Sequence, residues 1–415
     1  MIYIIKKNIN WRKEMGSFMF LHPILKELRI YDLDISKNIS NEGFIHTNSE
    51  NFEFIDTLIK ENIIEIYIGI KGVKINRKKT VIYPLNVTFQ ITNNCNLNCI
   101  HCHRKNKNSN SISLTQFTKV AKQLRKLNVF NINISGGEPL IKPELFDMIK
   151  VVVALGMKAT ISSNTVLMNK TIINKLYNAG LRNMQVSFDS YKSLMHDRIR
   201  GVNGAYAAMV KNLPLLVNKK IKFTLVTSLI NQTPKEYAKT IDTAYRLGAS
   251  AHKTNTVIPQ GEGRKMQDMV VKDFSPYIKI WKDKKEQYKN KMTVMAESMF
   301  AIQIGIEQIS PLNNPPMMRV GCPGAILTCN IDEIGNVTPC SFFPDYVFGN
   351  ILKDNFIKIW NSPLANKIRE RKLIRVCNNC KYTNNCGGCR ARSFGNYNII
   401  SETDKYCFIN NKLSQ

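Results

Sequence analysis

Between about residues 81 and 259, the chain alternates between two hydrophobic periods. Short β-rich runs at residues 82–92, 130–135, 158–163, 183–188, 222–228 and 252–258 are rich in Ile, Val and Thr, and each is followed by a stretch whose apolar positions recur at helical spacing. The helical stretches carry start and stop signals. Ser113 with Gln116 and Thr233 with Glu236 form capping boxes, Pro234 suits a first helical position, and Gly156, Gly180 and Gly248 suit C-terminal caps. Six strands alternating with helices predict an α/β fold of parallel strands joined by right-handed crossovers, either a doubly wound sheet or a full or partial barrel.

In both architectures chemistry gathers at the C-terminal ends of the strands. The polar residues follow that rule. Cys95-Asn-Leu-Asn-Cys99-Ile-His-Cys102 comes after the first strand, Gly136-Gly137-Glu138-Pro139 after the second and Ser162-Ser163-Asn164 after the third; Ser187 and Asp189 close the fourth, and Asn231 follows the fifth.

The length of 415 residues allows two to three domains, and 44% hydrophobic with 22% charged residues excludes a disordered or collagen-like chain. No apolar run approaches the roughly 20 residues that cross a bilayer, so no membrane partner is expected. Residues 1–15 meet lysines early and lack an apolar core followed by a cleavage site, which makes the cytoplasm the expected location. The formal charge of +28 admits a nucleic-acid or acidic-peptide partner. Because the lysines are scattered singly and in pairs, with no long basic run, the charge reads as the codon usage of an AT-rich genome, and nucleic acid is not an expected partner.

Cysteine changes the picture. The eleven cysteines fall into two groups, Cys95 to Cys102 and Cys322 to Cys407, and an odd number without an export signal points to thiolate metal ligation rather than to disulfides. The first group is C-x3-C-x2-C. Three thiolates can hold three corners of an iron–sulfur cube and leave the fourth iron open, whereas a zinc loop using His101 or His103 would depart from the usual two separated pairs.

The three-cysteine loop followed one strand later by Gly-Gly-Glu-Pro, on a repeating β/α unit, resembles the radical S-adenosylmethionine (SAM) superfamily over residues 81–263. The resemblance implies a partial (β/α)6 TIM-type barrel. Cys95, Cys99 and Cys102 would bind a [4Fe-4S] cluster whose open iron chelates SAM, and one electron would cleave SAM to methionine and a 5′-deoxyadenosyl radical. By the same match Gly136, Gly137 and Glu138 receive the methionine amino group, Ser187, Asp189 and Arg200 contact the ribose and the carboxylate, Asn164 and Asn231 make further polar contacts, and His101 lies beside the adenine.

Farther along, Cys322-Pro-Gly-Ala, Gly335-Asn-Val-Thr-Pro-Cys340, Gly349-Asn-Ile, and Cys377-x2-Cys380-x5-Cys386-x2-Cys389 with Cys407 resemble the SPASM extension, which holds auxiliary iron–sulfur clusters. The match implies one [4Fe-4S] cluster on Cys377, Cys380, Cys386 and Cys407 and another on Cys322, Cys340 and Cys389 with Cys329. Many SPASM members place three residues, not two, at the Cys386–Cys389 gap. Taken alone, residues 377–389 are two C-x2-C pairs in a zinc-ribbon-like pattern.

Enzymes with such clusters modify peptides and proteins or act on tetrapyrroles. Ser341 stands where the sulfatase-maturing branch has an acidic base, which argues against that activity; the run Cys386-Gly-Gly-Cys-Arg-Ala-Arg occurs in tetrapyrrole and peptide enzymes alike. Residues 1–80, with an apolar strand near 18–21 and a helical stretch at 51–62, resemble a small winged-helix domain of the kind that captures a leader peptide as an added strand.

The expected organisation is therefore a leader-recognition domain (1–80), a radical SAM core (81–265), a helical bridge (266–317) and a SPASM domain (318–415). The expected function is a thioether or carbon–carbon cross-link in a ribosomally made precursor peptide, with flavodoxin or ferredoxin as reductant. The alternatives are a tetrapyrrole side-chain enzyme and a non-enzymatic metal or nucleic-acid binding protein. No catalytic acid or base stands out; Asp345 and Tyr346 are candidates by position alone.

Overall fold

The computed structural model describes residues 83–104, 110–296 apart from 270 and 272, 322–369, 380, 388–402, 404 and 407, and ahead of these the backbone of six short strands together with Leu58. The six strands are β1 (Ile2–Ile5), β2 (Trp11–Glu14), β3 (Ser17–Leu21), β4 (Leu28–Tyr31), β5 (Phe44–His46) and β6 (Ile64–Ile66). They form two antiparallel three-stranded sheets, in the orders β5-β1-β6 and β2-β3-β4. The expected strand near residues 18–21 is β3; apart from Leu58, the helical stretch at 51–62 lies outside the described residues.

The core is a parallel run of six strands: β7 (Asn86–Gln90), β8 (Asn131–Ser135), β9 (Lys158–Ser163), β10 (Asn183–Ser187), β11 (Lys222–Leu229) and β12 (Ala251–Thr256). They pair in sequence order, which is the arrangement of a partial barrel. Every doubly wound sheet reverses strand order at a switch point, and this one does not within the six. The burial pattern supports the same conclusion. In Asn131–Ser135 and Asn183–Ser187 apolar residues are buried and polar ones half-buried in strict alternation, so one face packs on helices while the other lines a polar interior.

Helices α1 (Leu114–Lys126), α2 (Leu145–Ala154), α3 (Lys170–Asn178), α4 (Ser193–Arg200), α5 (Ala205–Asn218) and α6 (Pro234–Arg246) cover the outer face. Both expected capping boxes form, at Ser113 with Gln116 and at Thr233 with Glu236. Phe117, Val120, Ala121 and Leu124 make the buried stripe of α1, and Phe117 packs its ring 4.9 Å from that of Phe89 on β7. Burial of each of the larger ones, Phe117, Val120 and Leu124, contributes roughly 1.5–3 kcal/mol.

Two features depart from the expected boundaries. The stretch expected as a helical bridge contains α7 (Ser275–Gln287) followed by a strand, β13 (Thr293–Ala296), which extends the barrel sheet by pairing parallel to β12. Helical spacing alone could not show this, because β13 is short and its partner residues lie 42 positions earlier in the chain, as in Ala251 with Thr293. At the other edge, β14 (Thr328–Ile331) pairs parallel to β7 and continues through β15 (Asn336–Thr338) and β16 (Gly349–Asn350). One sheet therefore runs from the barrel into the cysteine-rich region. Among the described residues no helix is long and apolar enough to cross a membrane.

Candidate active site

The three-cysteine loop leaves the C-terminal end of β7 and is held by backbone contacts on three sides. Gly137 N–H donates to the Thr92 carbonyl and Glu138 N–H to that of Asn94, each at 2.8 Å. A Cβ on Gly137 would lie 2.1 Å from the Asn94 oxygen, so glycine is required there by the protein's own cysteine loop before any cofactor is considered. On a second side Ile100 N–H donates to the Ile199 carbonyl at 3.0 Å, and Gly201, which caps α4 with φ +69, packs against the Asn98 carbonyl. On the third, Glu262 N–H donates to the Cys102 carbonyl at 2.8 Å.

The loop opens onto a cleft of about 330 Å³, within the roughly 300–1,000 Å³ typical of small-molecule sites. Cys95, Cys99, His101, Cys102, Gly136, Gly137, Glu138, Asn164, Ser187 and Arg200 all line it. Glu138 is almost wholly buried, and its carboxylate accepts from Ser163 Oγ (2.8 Å), Asn164 N–H (2.8 Å) and Leu140 N–H (3.0 Å). It ties the second strand-end loop to the third. Burial pushes its carboxyl up to about 7 against the pull of those donors. Asn164 turns its amide to Asn96 Oδ1 at 2.9 Å, which joins the third loop to the cysteine loop.

Asp189 is fully buried behind the cleft. Burial opposes its ionisation, but the Arg200 guanidinium, with Nε 2.6 Å from Asp189 Oδ2, outweighs it and holds the carboxyl below its usual range. Ser228 N–H adds a bond at 2.9 Å. So anchored, Arg200 places Nη1 3.8 Å from Cys99 Sγ. Asp189 thus positions Arg200 and does not line the cleft. Asn231, also expected in the site, is exposed in the turn after β11 with φ +47 and does not line the cleft either. Its left-handed backbone explains an Asn there without a ligand.

Sequence reasoning missed the floor. Asn133 on β8, Gln185 on β10, and Lys253 and Asn255 on β12 line the cleft together with Ser162, which was already expected at the end of β9. In β8 and β10 the signal was strict polar alternation along the strand, which a sheet covered on both faces would not show; β12 is polar at positions on both faces and gave no such signal. The loop after β15 also reaches the cleft, contributing Ser341 and Phe342; Phe342 stacks edgewise on His103 at 4.9 Å. Arg104, just past the cysteine loop, makes a buried ion pair with Glu333 in the β14–β15 hairpin at 2.6 Å.

In the C-terminal region Cys322, Cys340 and Cys389 come together. Burial raises the Cys340 thiol, and the neighbouring Cys322 and Cys389 raise it further. Cys329 is elsewhere, contrary to its expected place in that set. On β14 it is in register with Val87 of β7, so it shares the buried, helix-covered face, while Asn330, in register with Thr88, takes the inner one and donates to Gln90 Oε1 at 3.4 Å. The charged group near it is Arg369, which donates to the Ala325 and Trp360 carbonyls. Cys380 and Cys407 are half-buried, and Cys377 and Cys386 lie outside the described residues.

The residues fit a cluster with a bound sulfonium ligand. Burial lifts the Cys95 thiol to about 11, with Cys99 and Cys102 adding to the effect, so the three sulfurs lie within electrostatic reach of one another, and a cation stands beside Cys99 to offset the charge of metal-bound thiolates. His101 lines the same cleft with Nδ1 buried and, among the described residues, without a hydrogen-bond partner. Burial lowers its pKa to about 4, which keeps the ring neutral at physiological pH.

Comparison with known proteins agrees with this geometry. Residues 89–266 match the model of the radical SAM superfamily, and residues 322–381 match an iron–sulfur cluster-binding domain, SPASM. The AdoMet-dependent heme synthase of Methanosarcina barkeri is 27% identical over 78% of this chain and 96% of its own length. The antilisterial bacteriocin subtilosin biosynthesis protein AlbA of Bacillus subtilis is 28% identical over 74% of this chain and 67% of its own. Among solved structures, Streptococcus suis SuiB bound to precursor peptide SuiA shares the fold with a TM-score of 0.72 at 15% identity, covering 97% of this chain and 98% of that one.

Proposed function

Because this chain is a radical SAM enzyme with a SPASM domain, we propose that it modifies a ribosomally made precursor peptide, installing a thioether or carbon–carbon cross-link. It uses SAM and a [4Fe-4S] cluster, and its SPASM domain binds auxiliary iron–sulfur clusters. When bound, these groups supply a carbon radical strong enough to take hydrogen from an unactivated carbon. The chain's own residues do the positioning. Cys95, Cys99 and Cys102 would hold the cluster; Arg200, fixed by Asp189, would meet the carboxylate of SAM; the Gly136–Gly137 backbone would offer acceptors to its amino group; and the polar floor from Asn133 to Asn255 would orient the substrate. Ser341 and Phe342 bring the SPASM region to the cleft mouth and help exclude water.

The observation that carries this reading is the fold match to SuiB with its precursor peptide. It extends over nearly the whole chain, including the part that precedes the radical SAM match at residue 89. The two small antiparallel sheets in that part have edge strands, which suit capture of an extended leader. The heme synthase match spans almost all of that protein yet leaves about a fifth of this chain unmatched, and it supports the second reading, action on a tetrapyrrole.

The test is anaerobic incubation of reconstituted enzyme, SAM and reductant with the short peptide encoded beside its gene. A product lighter by two hydrogens per cross-link, abolished in the Cys95/Cys99/Cys102 triple alanine variant, is the expected result. Turnover of an iron porphyrin carrying propionate groups, with no change in the peptide, would replace this reading with the second.

A further inference from the structure

We propose that the outer face of helix α4, centred on Leu194, is the docking surface of an acidic one-electron carrier protein. The proposal rests on the chain being a radical SAM enzyme, whose cluster must be reduced from outside. The inner face of α4 buries His196 and Ile199 and ends at Arg200, 3.8 Å from Cys99. The Ile199 carbonyl and Gly201 touch the cysteine loop directly. One short helix therefore separates this outer surface from the residues that would hold the cluster.

That surface is unusual in two ways. Leu194 is 86% exposed, far more than any other large apolar residue described, the next reaching 49%. It lies in a shallow groove of about 520 Å³ shared with Tyr191, Lys192, Met195 and Arg198. The charges beside it are basic: Lys192 and Lys239 set their ammonium groups 5.9 and 5.6 Å from the Tyr191 ring, and Arg198 is exposed on the same helix. Glu236 offsets part of this through its pair with Lys192 at 2.5 Å. An apolar centre with a cationic rim fits a partner with an acidic rim, and electrostatic complementarity of that kind mainly raises the association rate. The step itself moves one electron from the carrier to the cluster and no atoms.

The experiment compares SAM cleavage driven by dithionite with cleavage driven by limiting reduced flavodoxin, an acidic carrier, in wild type, Leu194→Glu, Arg198→Glu and Lys239→Glu. The expected result is an unchanged dithionite rate and a flavodoxin-driven rate at least tenfold lower in the first two variants and several-fold lower in the third. The wild-type flavodoxin rate should also fall as KCl is raised. Flavodoxin-driven rates within twofold of wild type in all three variants would overturn the proposal. Should Leu194→Glu disturb the helix and lose both rates, Lys239→Glu, on α6, decides alone: a loss confined to the flavodoxin rate supports docking here, and no loss refutes it. If Leu194→Glu instead dissolves a wild-type dimer and leaves the flavodoxin rate intact, the face belongs to a second copy. Failure of wild type to cleave SAM with dithionite would sink the radical SAM reading itself, a result distinct from all of these.

Discussion

Replacing Cys329 with valine separates a core residue from a cluster ligand. The side chain is 1% exposed on the helix-covered face of β14, in register with Val87, and its replacement is a near volume-conserving swap that costs under about 1.5 kcal/mol. For a cooperative domain of about 150–250 residues, the size range of the barrel, that is a fall in melting temperature of about 2–4 °C per kcal/mol. The decisive readout is metal content after anaerobic reconstitution. Three four-iron clusters correspond to about twelve irons per chain, and Cys329→Val should keep that number, whereas Cys340→Ala, which removes a thiol grouped with Cys322 and Cys389, should fall to about eight. If Cys329→Val also loses about four irons, the register argument is wrong and the thiol reaches the cluster.

Other perturbations test the remaining geometry. Asn231→Ala should leave SAM affinity within about twofold, because the side chain is exposed outside the cleft, and equilibrium binding of SAM to the reconstituted protein checks it. Glu333→Ala strands a buried guanidinium at Arg104 and should cost roughly 3–5 kcal/mol in denaturant titration, much of it regained in an Arg104→Met, Glu333→Leu double variant. Burial lowers the His252 imidazole to about 3, so the unfolded chain binds a proton that the native one refuses between that value and about 6.5. Stability should therefore fall as pH drops through this window, and His252→Gln should flatten the dependence of the unfolding midpoint on pH.

The strands and helix caps of the barrel were legible because they are local. Ser113 and Thr233 announce their helices within four residues, and the β/α repeat alone brings the three-cysteine loop and the Gly-Gly-Glu-Pro turn together at consecutive strand ends, with Arg200 delivered to them from the end of the helix after β10. What escaped depends on pairing between distant segments. Cys329 was counted with its chemical kind, but its face is decided by register with β7. Asn231 follows its strand as a site residue should, yet its backbone turns it outward. The Arg104–Glu333 pair, the approach of Ser341 to the cleft and the strand β13 all require knowing which sheet edge meets which segment. In β8 and β10 the polar floor was written in the sequence as alternation, and its meaning appears once the strands are known to be covered on one face.

The pairing of β14 with β7 has a consequence for how the protein is made. Asn330 and Gln90 are 240 positions apart, so β7, the strand that launches the cysteine loop, stays an open sheet edge until most of the chain has left the ribosome. Contacts of such long range slow folding, and an uncovered edge invites pairing with other chains. Fragments ending before β14 should aggregate when expressed alone, even though they contain every cluster-binding residue of the barrel. Iron loading of the first loop, measured after reconstitution, should accordingly be lower in such fragments than in the full chain.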